Sequence, residues 1–384
     1  MPTNKYDSNF PIRKNNQFEL LVNASTFYPA IIDTINQAKT EVIIENYLTT
    51  SGKIFSQFIN ALLQAAERNV KVYCLFDDFG SKGISRKDLS LLNTKNIHIQ
   101  FYNRIKYQKY LNNLFRDHRK IYIIDRKKAF IGGAGLSDKF DCDNANAWHD
   151  IMVSIQGDVI EDWLILFQSN WIKYNKTSLK PITQLNDSTV ENKHFSQQGQ
   201  VIAFSTAHRH QLKKQLLNEI NKSKKYIWLT TPYFVPSRKL RRSLIRAAQR
   251  GVDVKLLLPG KITDHPGVRI MGQRYYAQLL RHDVQIFEFT LHFSHAKVML
   301  SDQWATTGSS NFDRWNFRWN LEANQAITDL EFSKILEQWF KQELKNCDEI
   351  IYQQWRNRSY WQRSKEWFWG GVVKILEHLK RPSK

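Results

Sequence analysis

Two stretches decide the fold of this 384-residue chain: HRKIYIID at residues 118–125 and HAKVMLSD at residues 295–302. Both match the pattern His-x-Lys-x4-Asp, and each leads into a turn of small residues, IGGAG or TGSSN. A single His-x-Lys pair in a strand would mean little. Two complete copies, each followed by a turn of small residues, indicate that the chain contains a duplicated unit. The matched residues are His118, Lys120 and Asp125 in the first copy and His295, Lys297 and Asp302 in the second.

The chain around each copy repeats one order of elements. TEVIIENYL followed by NALLQAAERNVKVYCLFDD predicts strand, helix and strand, and the second half repeats this in KKYIWLTTPYF and SLIRAAQRGVDVKLLLPG. A further apolar strand precedes each motif, near Ile97 and near Val284. Strands that alternate with helices predict two duplicated α/β/α sandwich domains with mostly parallel sheets. Such units would pack about a pseudo-twofold axis, with the active site at their interface, where pockets are favoured.

The domain boundaries follow from the repeat. Residues 1–174 form the first predicted domain and residues 201–350 form the second. Residues 175–200 are polar and lack hydrophobic periodicity, which predicts a linker. Residues 351–384 form a basic, Trp-rich tail, and this composition is typical of a segment that lies in a membrane interface. The alternative is that its tryptophans pack on the second domain; they are Trp355, Trp361, Trp367 and Trp369.

The charge and the cysteines restrict the class of protein. Fifty-six Lys and Arg against thirty-six Asp and Glu give a net charge of +20, which predicts a polyanionic partner, either nucleic acid or an anionic membrane. Three scattered cysteines without a C-x-x-C pair predict neither a disulfide framework nor a zinc site. The polar N-terminal segment does not resemble a signal peptide, and no stretch has the roughly 18–20 apolar residues of a membrane span. We therefore expect a cytosolic or peripheral protein.

The residue types of the two motifs suit a reaction at a phosphodiester. Lys120 and Lys297 would supply positive charge for the non-bridging oxygens. One imidazole can attack phosphorus while the other protonates the departing oxygen and then activates the incoming alcohol. The scheme requires neither a metal nor a cofactor. Neutral donors would come from the small-residue turns, through Asn311, Ser309 and Gly133.

A carboxylate on the far nitrogen of each imidazole would fix its tautomer. Asp150 and Glu322 are the candidates, because they lie at comparable distances past their histidines. Asp125 and Asp302 complete the catalytic motif, but we interpret them as structural partners within it. His149 is expected to be a packing or surface residue. Three further histidines have no spacing typical of ligands: His208, His210 and His292.

The paired motif resembles the signature of the phospholipase D superfamily. The flanking strings resemble the bacterial cardiolipin synthases that lack N-terminal transmembrane helices, and the resemblance runs from about Phe18 to Ile350. It implies transfer of a phosphatidyl group to phosphatidylglycerol through a phosphohistidine, with release of glycerol or another headgroup alcohol. His118 is then the nucleophile and His295 the acid and later the base. Relatives often have Asn where this chain has Gly135, so we expect unequal phosphate contacts in the two halves.

The same resemblance implies an anionic phospholipid membrane as partner, phosphatidylglycerol as substrate and no obligate protein partner. It implies a bacterial protein, peripheral on the cytoplasmic face of the inner membrane. Three alternatives remain at this point. A hydrolytic phospholipase D would use water as acceptor. A nuclease suits the charge but would be a short single-motif chain that dimerises, so nucleic acid is disfavoured. A non-catalytic lipid-binding protein would not need two complete motifs.

Overall fold

The structure is a computed structural model that describes residues 9–105, 113–174, 195–204, 211–313, 320–361 and 364. In the first half, helices and strands alternate in the predicted manner. They are β1 (Arg13–Val22), α1 (Ala24–Asn36), β2 (Glu41–Asn46), α2 (Lys53–Glu67), β3 (Lys71–Asp77), α3 (Arg86–Leu91), β4 (Ile97–Tyr102), β5 (Arg116–Asp117), β6 (Lys120–Ile124), β7 (Lys128–Gly132), a 3-10 turn (Asp138–Phe140), β8 (Ile151–Gly157) and α4 (Val159–Tyr174).

The second half repeats this order with small additions. Its elements are β9 (Gln197–Phe204), α5 (Gln211–Lys222), β10 (Tyr226–Thr230), α6 (Arg238–Gln249), β11 (Asp253–Pro259), α7 (Pro266–Gln273), α8 (Tyr276–Leu280), β12 (Gln285–Phe289), β13 (Val298–Ser301), β14 (Trp304–Gly308), β15 (Asn320–Thr328), α9 (Leu330–Leu344), β16 (Cys347–Glu349) and α10 (Tyr352–Arg356).

One continuous sheet carries both halves. Strands β1 and β9 lie side by side at its centre, and from there the order runs β1-β8-β7-β6-β2-β3-β4 on one side. On the other side it runs β9-β15-β14-β13-β10-β11-β12, with β16 added at the edge. The two orders match strand for strand, so the predicted duplication about a pseudo-twofold axis is confirmed. The first motif opens β6 and the second opens its counterpart, β13.

The prediction of mostly parallel sheets is wrong. Along the main sheet of the described residues, β2-β3-β4 and β10-β11-β12 pair parallel, whereas the strands between these two groups pair antiparallel. A parallel neighbour needs a long crossover, usually a helix. The motif strands β6 and β7 are instead joined by a tight turn, in which Asp125 and Arg126 adopt positive φ angles of 49° and 54°. No crossover helix is therefore needed between these two strands.

The two halves share their central core. On one face of the sheet, Trp163 of α4 and Leu336 of α9 pack in a single cluster with Ile121 of the first half and Val298 of the second. On the other face each half has a core of its own. The predicted apolar stripe of α2 lies there, with Phe55, Phe58 and Leu62 all fully buried. A shared core fixes one half against the other and therefore holds the interface between them.

The predicted linker and tail are only partly described. Residues 175–194 lie outside the described part, and Gln197–Gln200, which we had placed in the linker, form the start of β9. Polar side chains do not prevent these residues from forming a strand, because their main chain pairs with β1 and β15. In the tail, Trp355 is buried with its ring 5.1 Å from that of Tyr276, so this residue packs on the second domain. Trp361 is exposed, and the tail tryptophans Trp367 and Trp369 lie outside the described residues, as do His208 and His210.

Candidate active site

Both motif histidines lie at the interface between the halves. His118 occupies the bend between β5 and β6, and Lys120 is the first residue of β6. His295 and Lys297 directly precede β13. The prediction that each motif leads into a strand is confirmed, although both histidines lie just outside the regular ladder. Their side chains therefore project from the end of the sheet, where the strands of both halves begin.

Two crossing segments tie the motifs together. Strand β5 pairs with the start of β15, which places Asp117 opposite Leu321. The His118 N–H donates to the carbonyl of Leu321 at 3.0 Å. In the equivalent crossing, the His295 N–H donates to the carbonyl of His149 at 2.7 Å. The main chain of each motif histidine is thus hydrogen-bonded to the residue that precedes the carboxylate of the other half.

The carboxylates are exchanged between the halves. The two carboxylate oxygens of Glu322 lie 3.1 and 3.4 Å from Nδ1 of His118. Asp150 lies 2.7 Å from Nδ1 of His295. Our sequence interpretation chose the correct carboxylates but assigned each to the histidine of its own half, which is wrong. The spacing along the chain is similar in both halves, so it cannot reveal an exchange.

This pairing determines which nitrogen reacts. A carboxylate at Nδ1 accepts the proton of that nitrogen and leaves Nε2 of each ring for chemistry. Nε2 of His295 lies 3.1 Å from Nζ of Lys297. Glu322 and Asp150 are 0% and 1% exposed, so water does not compete for them. Neither histidine can form this pair within its own half, and a single half is therefore catalytically incomplete.

Burial keeps both imidazoles neutral at neutral pH. Burial and the nearby charge of Lys120 lower the pKa of His118, against the opposing effect of Glu322. Burial and the charges of Lys297 and Lys120 lower the pKa of His295 well below its ordinary value. Burial also raises the pKa of Asp150 to about 6, with Lys297 opposing. A neutral imidazole can attack phosphorus. A bound anionic phosphodiester would raise the pKa of the other imidazole and so help that imidazole to carry a proton.

The two lysines face each other across the site. Burial and the charge of Lys297 lower the pKa of Lys120 to about 7. Burial lowers the pKa of Lys297 to about 8, although Asp150 and Glu322 oppose the shift. Each ammonium group donates at 2.6 Å to the main-chain carbonyl of the histidine in its own motif. The lysines thus hold two cations beside the imidazoles, as binding of a phosphate anion requires.

The two halves of the site differ in their aromatic and small residues. The ring of Tyr47 lies 4.6 Å from that of His118, while His295 lies among Phe140, Trp148 and Phe293. Ser309 donates to Glu322 at 2.5 Å. Gly133, its counterpart in the first turn, gives Asp150 room instead, because a Cβ there would lie 2.5 Å from the carboxylate.

The predicted donors of the second turn are mostly engaged. The Ser309 N–H bonds to Ala323, the Ser310 N–H bonds to Asn324, and the Ser309 hydroxyl bonds to Glu322. Ser309 therefore supports the catalytic carboxylate rather than a phosphate oxygen, which corrects our prediction for this residue. Gly133 likewise has no side chain that would prevent the close approach of Asp150. Asn311, which is 2% exposed in the same turn, is the remaining predicted phosphate contact.

The motif aspartates are structural. Asp125 accepts hydrogen bonds from the main-chain N–H groups of Lys39, Thr40 and Glu41. Asp302 does the same for Lys224, Lys225 and Tyr226. These aspartates lie at the far ends of β6 and β13, five residues past the lysines, which is roughly 16 Å at about 3.3 Å per strand residue. They hold the entry to β2 and β10, which is the structural role that we interpreted for them within the motif.

A buried ion cluster behind His118 was not predicted. Arg119 contacts Glu45 at 2.6 Å and Asp117 at 3.0 Å, and all three side chains are nearly inaccessible to water. The cluster clamps the main chain on both sides of His118. A signal existed in the sequence, because Asp117 and Arg119 are two residues apart and share one face of an extended chain. The equivalent positions in the second half are neutral: Thr230, Ser294 and Ala296.

His149 is a packing residue, as predicted. It is buried, its Nε2 lies 3.0 Å from Glu343 of α9, and its ring stacks on Trp339. His292 lies beside it, with ring centroids 5.0 Å apart. In the part of the chain that the structure describes, no group of three or more His, Cys, Asp or Glu side chains is placed to hold a metal ion.

The fold and the site together define a class of protein. Two fused α/β halves place two neutral imidazoles, two exchanged carboxylates and two lysines around one point. This arrangement suits transfer of a phosphoryl-linked group through a histidine, with the second histidine moving the proton.

Comparison with known proteins identifies the family. Residues 31–171 and 216–344 match the family model described as "Cardiolipin synthase, PLD-like domain". The chain is 30% identical over 360 residues to cardiolipin synthase B of Salmonella typhimurium, which covers 92% of this chain and 86% of that protein. It is 30% identical over 384 residues to a cardiolipin synthase of Clostridium perfringens, with 97% and 79% covered. The chain belongs to the cardiolipin synthase family of phospholipase D-like proteins, and is a phosphatidyltransferase.

Solved structures agree on the fold. The chain is similar to phosphatidylserine synthase of Haemophilus influenzae, with a TM-score of 0.71 at 12% identity over 97% of this chain and 96% of that one. It is also similar to polyphosphate kinase of Porphyromonas gingivalis, with a TM-score of 0.53 at 14% identity over 84% of this chain and 49% of that one. At such identities the likeness concerns the fold alone. Within the described residues, no helix combines the length and the apolarity needed to cross a bilayer.

Proposed function

We propose that this protein is a cardiolipin synthase that transfers the phosphatidyl group of one phosphatidylglycerol to the headgroup hydroxyl of another. The observation that carries the proposal is the pair of histidines at the interface, each held at Nδ1 by a buried carboxylate of the other half. Both halves are then needed for one reaction. The family match supplies the substrate class.

In the first step, Nε2 of His118 attacks the phosphorus of phosphatidylglycerol. The bond from phosphorus to the headgroup oxygen breaks, and glycerol leaves with the proton that Nε2 of His295 donates. Lys120 and Lys297 neutralise the non-bridging oxygens, and Glu322 stabilises the positive charge that His118 acquires. His118 is the better candidate for attack because its side chain is 12% exposed, against 7% for His295.

In the second step, the roles of His295 reverse. The neutral imidazole takes the proton from the headgroup hydroxyl of a second phosphatidylglycerol, whose oxygen attacks phosphorus. The bond from phosphorus to Nε2 of His118 breaks, cardiolipin forms, and His295 is again protonated. Asp150 supports the imidazolium of His295 in each cycle. The sum is two phosphatidylglycerols to one cardiolipin and one glycerol.

The proposed location is the inner membrane of a bacterium, with the enzyme peripheral on its cytoplasmic face. The net charge of +20 supports an anionic lipid surface as partner. The exposed Trp361 of the basic tail is consistent with a further contact to the headgroup region. No protein partner enters the proposal.

The products of phosphatidylglycerol test this function directly. When the purified protein is incubated with phosphatidylglycerol, we expect cardiolipin and an equimolar amount of glycerol, measured by mass spectrometry of the lipid and aqueous phases. Phosphatidic acid as the only lipid product would show a hydrolase instead. Unchanged phosphatidylglycerol, together with cleavage of DNA, would point to a nuclease.

The lysines predict an unusual dependence on pH. A lysine must be protonated to bind phosphate, and burial lowers the pKa of Lys120 to about 7 and that of Lys297 to about 8. We therefore expect kcat/KM to fall as the pH rises through 7 to 8, whereas ordinary lysines would lose their charge only above about 10. The control is Lys120→Arg, whose charge does not titrate, so its alkaline decline should begin at higher pH. A wild-type profile that stays flat to pH 9.5 would contradict the assignment.

A further inference from the structure

Three large apolar side chains are exposed on loops beside the candidate active site. Phe79, Ile262 and Leu291 are 52%, 43% and 59% exposed. Phe79 follows β3, Ile262 follows β11 and Leu291 follows β12. Strand β3 is parallel to β2, and β11 and β12 are parallel to β10, so each loop emerges at the edge where the parallel strands of its own half end.

That edge is the one that carries the catalytic residues. Lys120 pairs with Asn46, the last residue of β2, and Val298 pairs with Thr230, the last residue of β10. The loops are also bonded to the site. Asp77, at the end of β3, accepts the N–H of Asp117 next to His118 at 2.9 Å. Leu291 precedes His295 by only four residues. The exposed apolar tips therefore lie on loops at the catalytic end of each half.

Cations accompany these tips in both halves. Lys82 lies 5.0 Å from the ring centroid of Phe79, and Lys261 is the neighbour of Ile262 in the equivalent loop of the second half. Arg104 follows β4, the counterpart of the strand before Leu291. We call the six residues the rim: Phe79, Lys82, Arg104, Lys261, Ile262 and Leu291. All six are exposed.

A single exposed apolar residue needs no explanation. The rim differs because the equivalent loops after β3 and β11 each present an apolar tip with a cation, and the equivalent loops after β4 and β12 add a cation in one half and an apolar tip in the other. Apolar tips that enter the boundary between headgroups and acyl chains, with cations beside them at the headgroups, are typical of interfacial binding. A nucleic acid would use the cations but would not require aliphatic tips such as Ile262 and Leu291, since its bases stack on aromatic rings.

We propose that the rim docks this protein on an anionic phospholipid bilayer, with its apolar tips inserted at the headgroup boundary and its cations on anionic headgroups. The proposal explains how a lipid phosphodiester reaches buried catalytic groups without leaving the membrane. The role of docking in catalysis rests on the proposed function, but binding of the rim to a bilayer can be tested separately from catalysis. The rim lies outside the catalytic machinery, so its side chains can be changed without altering the histidines or lysines.

The test uses the full chain and a matched pair of triple variants. The rim variant is Phe79→Ser/Ile262→Ser/Leu291→Ser. The control is Ile12→Ser/Leu91→Ser/Leu330→Ser, whose side chains are 60%, 46% and 52% exposed. These three lie at the opposite edge, because Ile12 precedes β1, Leu91 leads to the start of β4 and Leu330 follows the end of β15. Both variants remove a similar exposed apolar surface.

Co-sedimentation with vesicles of phosphatidylglycerol and phosphatidylcholine is the first measurement. We expect the rim variant to partition at least about tenfold more weakly than wild type and the control to partition as wild type. The second measurement is turnover of phosphatidylglycerol, which should fall in vesicles but stay at the wild-type rate in detergent micelles. Equal sedimentation of the rim variant and wild type would overturn the proposal, whatever the products. Rim-dependent binding of DNA by a wild-type protein that ignores vesicles would also overturn it. Rim-dependent vesicle binding without any cardiolipin in micelles would support the rim and refute the proposed function.

Discussion

Replacing His118 or His295 with alanine should each abolish phosphatidyl transfer. His118→Ala removes the only nucleophile of the proposed mechanism, so we expect a loss of at least about 10⁴-fold in kcat, against about 10²–10⁴ for a lost proton-transfer group such as His295. The double variant should be little worse than the more damaged single one, because the two residues serve one reaction path. Steady-state rates with phosphatidylglycerol in micelles provide the measurement.

The control for these variants must separate loss of chemistry from loss of structure. His282→Ala changes a histidine in the turn after α8, away from both motifs, and should keep the wild-type rate. Both catalytic variants should still unfold cooperatively on heating, which would show that the fold is retained. More than about 1% of wild-type turnover in His118→Ala would be incompatible with an obligatory phosphohistidine.

Arg119→Met should destabilise the protein by about 3–5 kcal/mol, which is the usual effect of removing one partner from a buried ion cluster. The methionine would fill much of the space, but Glu45 and Asp117 would stay buried without the guanidinium that lies 2.6 and 3.0 Å from them. Urea denaturation followed by tryptophan fluorescence measures the shift in midpoint.

The molecule offers its own control for this variant. In the second half the equivalent positions are occupied by uncharged residues, Thr230, Ser294 and Ala296. The triple variant Glu45→Thr/Asp117→Ser/Arg119→Ala copies that neutral set into the first half. It should recover most of the lost stability, because no charge is left buried without a partner. A triple variant no more stable than Arg119→Met would show that the cost is lost packing rather than unpaired charge.

The sequence predicted the duplication well. Both motifs are complete, and the strands and helices around them repeat in the same order, so the internal comparison needed no structure. The prediction failed for strand direction. Alternation of strands and helices is visible in the outer strands, but the tight turn at Asp125 that makes β6 and β7 antiparallel resembles an ordinary polar break between elements.

The exchange of carboxylates could not be predicted from spacing. Asp150 and Glu322 follow their local histidines at similar distances, and pairing within a half and between halves fits that spacing equally well. The long-range pairing of β5 with β15 determines which carboxylate meets which histidine. In this pairing the His118 N–H donates to the carbonyl of Leu321. Ser309 failed as a predicted phosphate contact for a related reason, because its partner Glu322 approaches through the same crossing.

The most direct test of a composite, histidine-bonded mechanism is to trap the intermediate. A phosphatidyl ester of p-nitrophenol has a leaving group that needs no proton, so His295→Ala should still undergo the first step but resolve the intermediate slowly. Peptide mass spectrometry after rapid quenching should then find the phosphatidyl group on His118 in His295→Ala and on no residue in His118→Ala. Release of nitrophenol by His295→Ala without an adduct on His118 would contradict the mechanism.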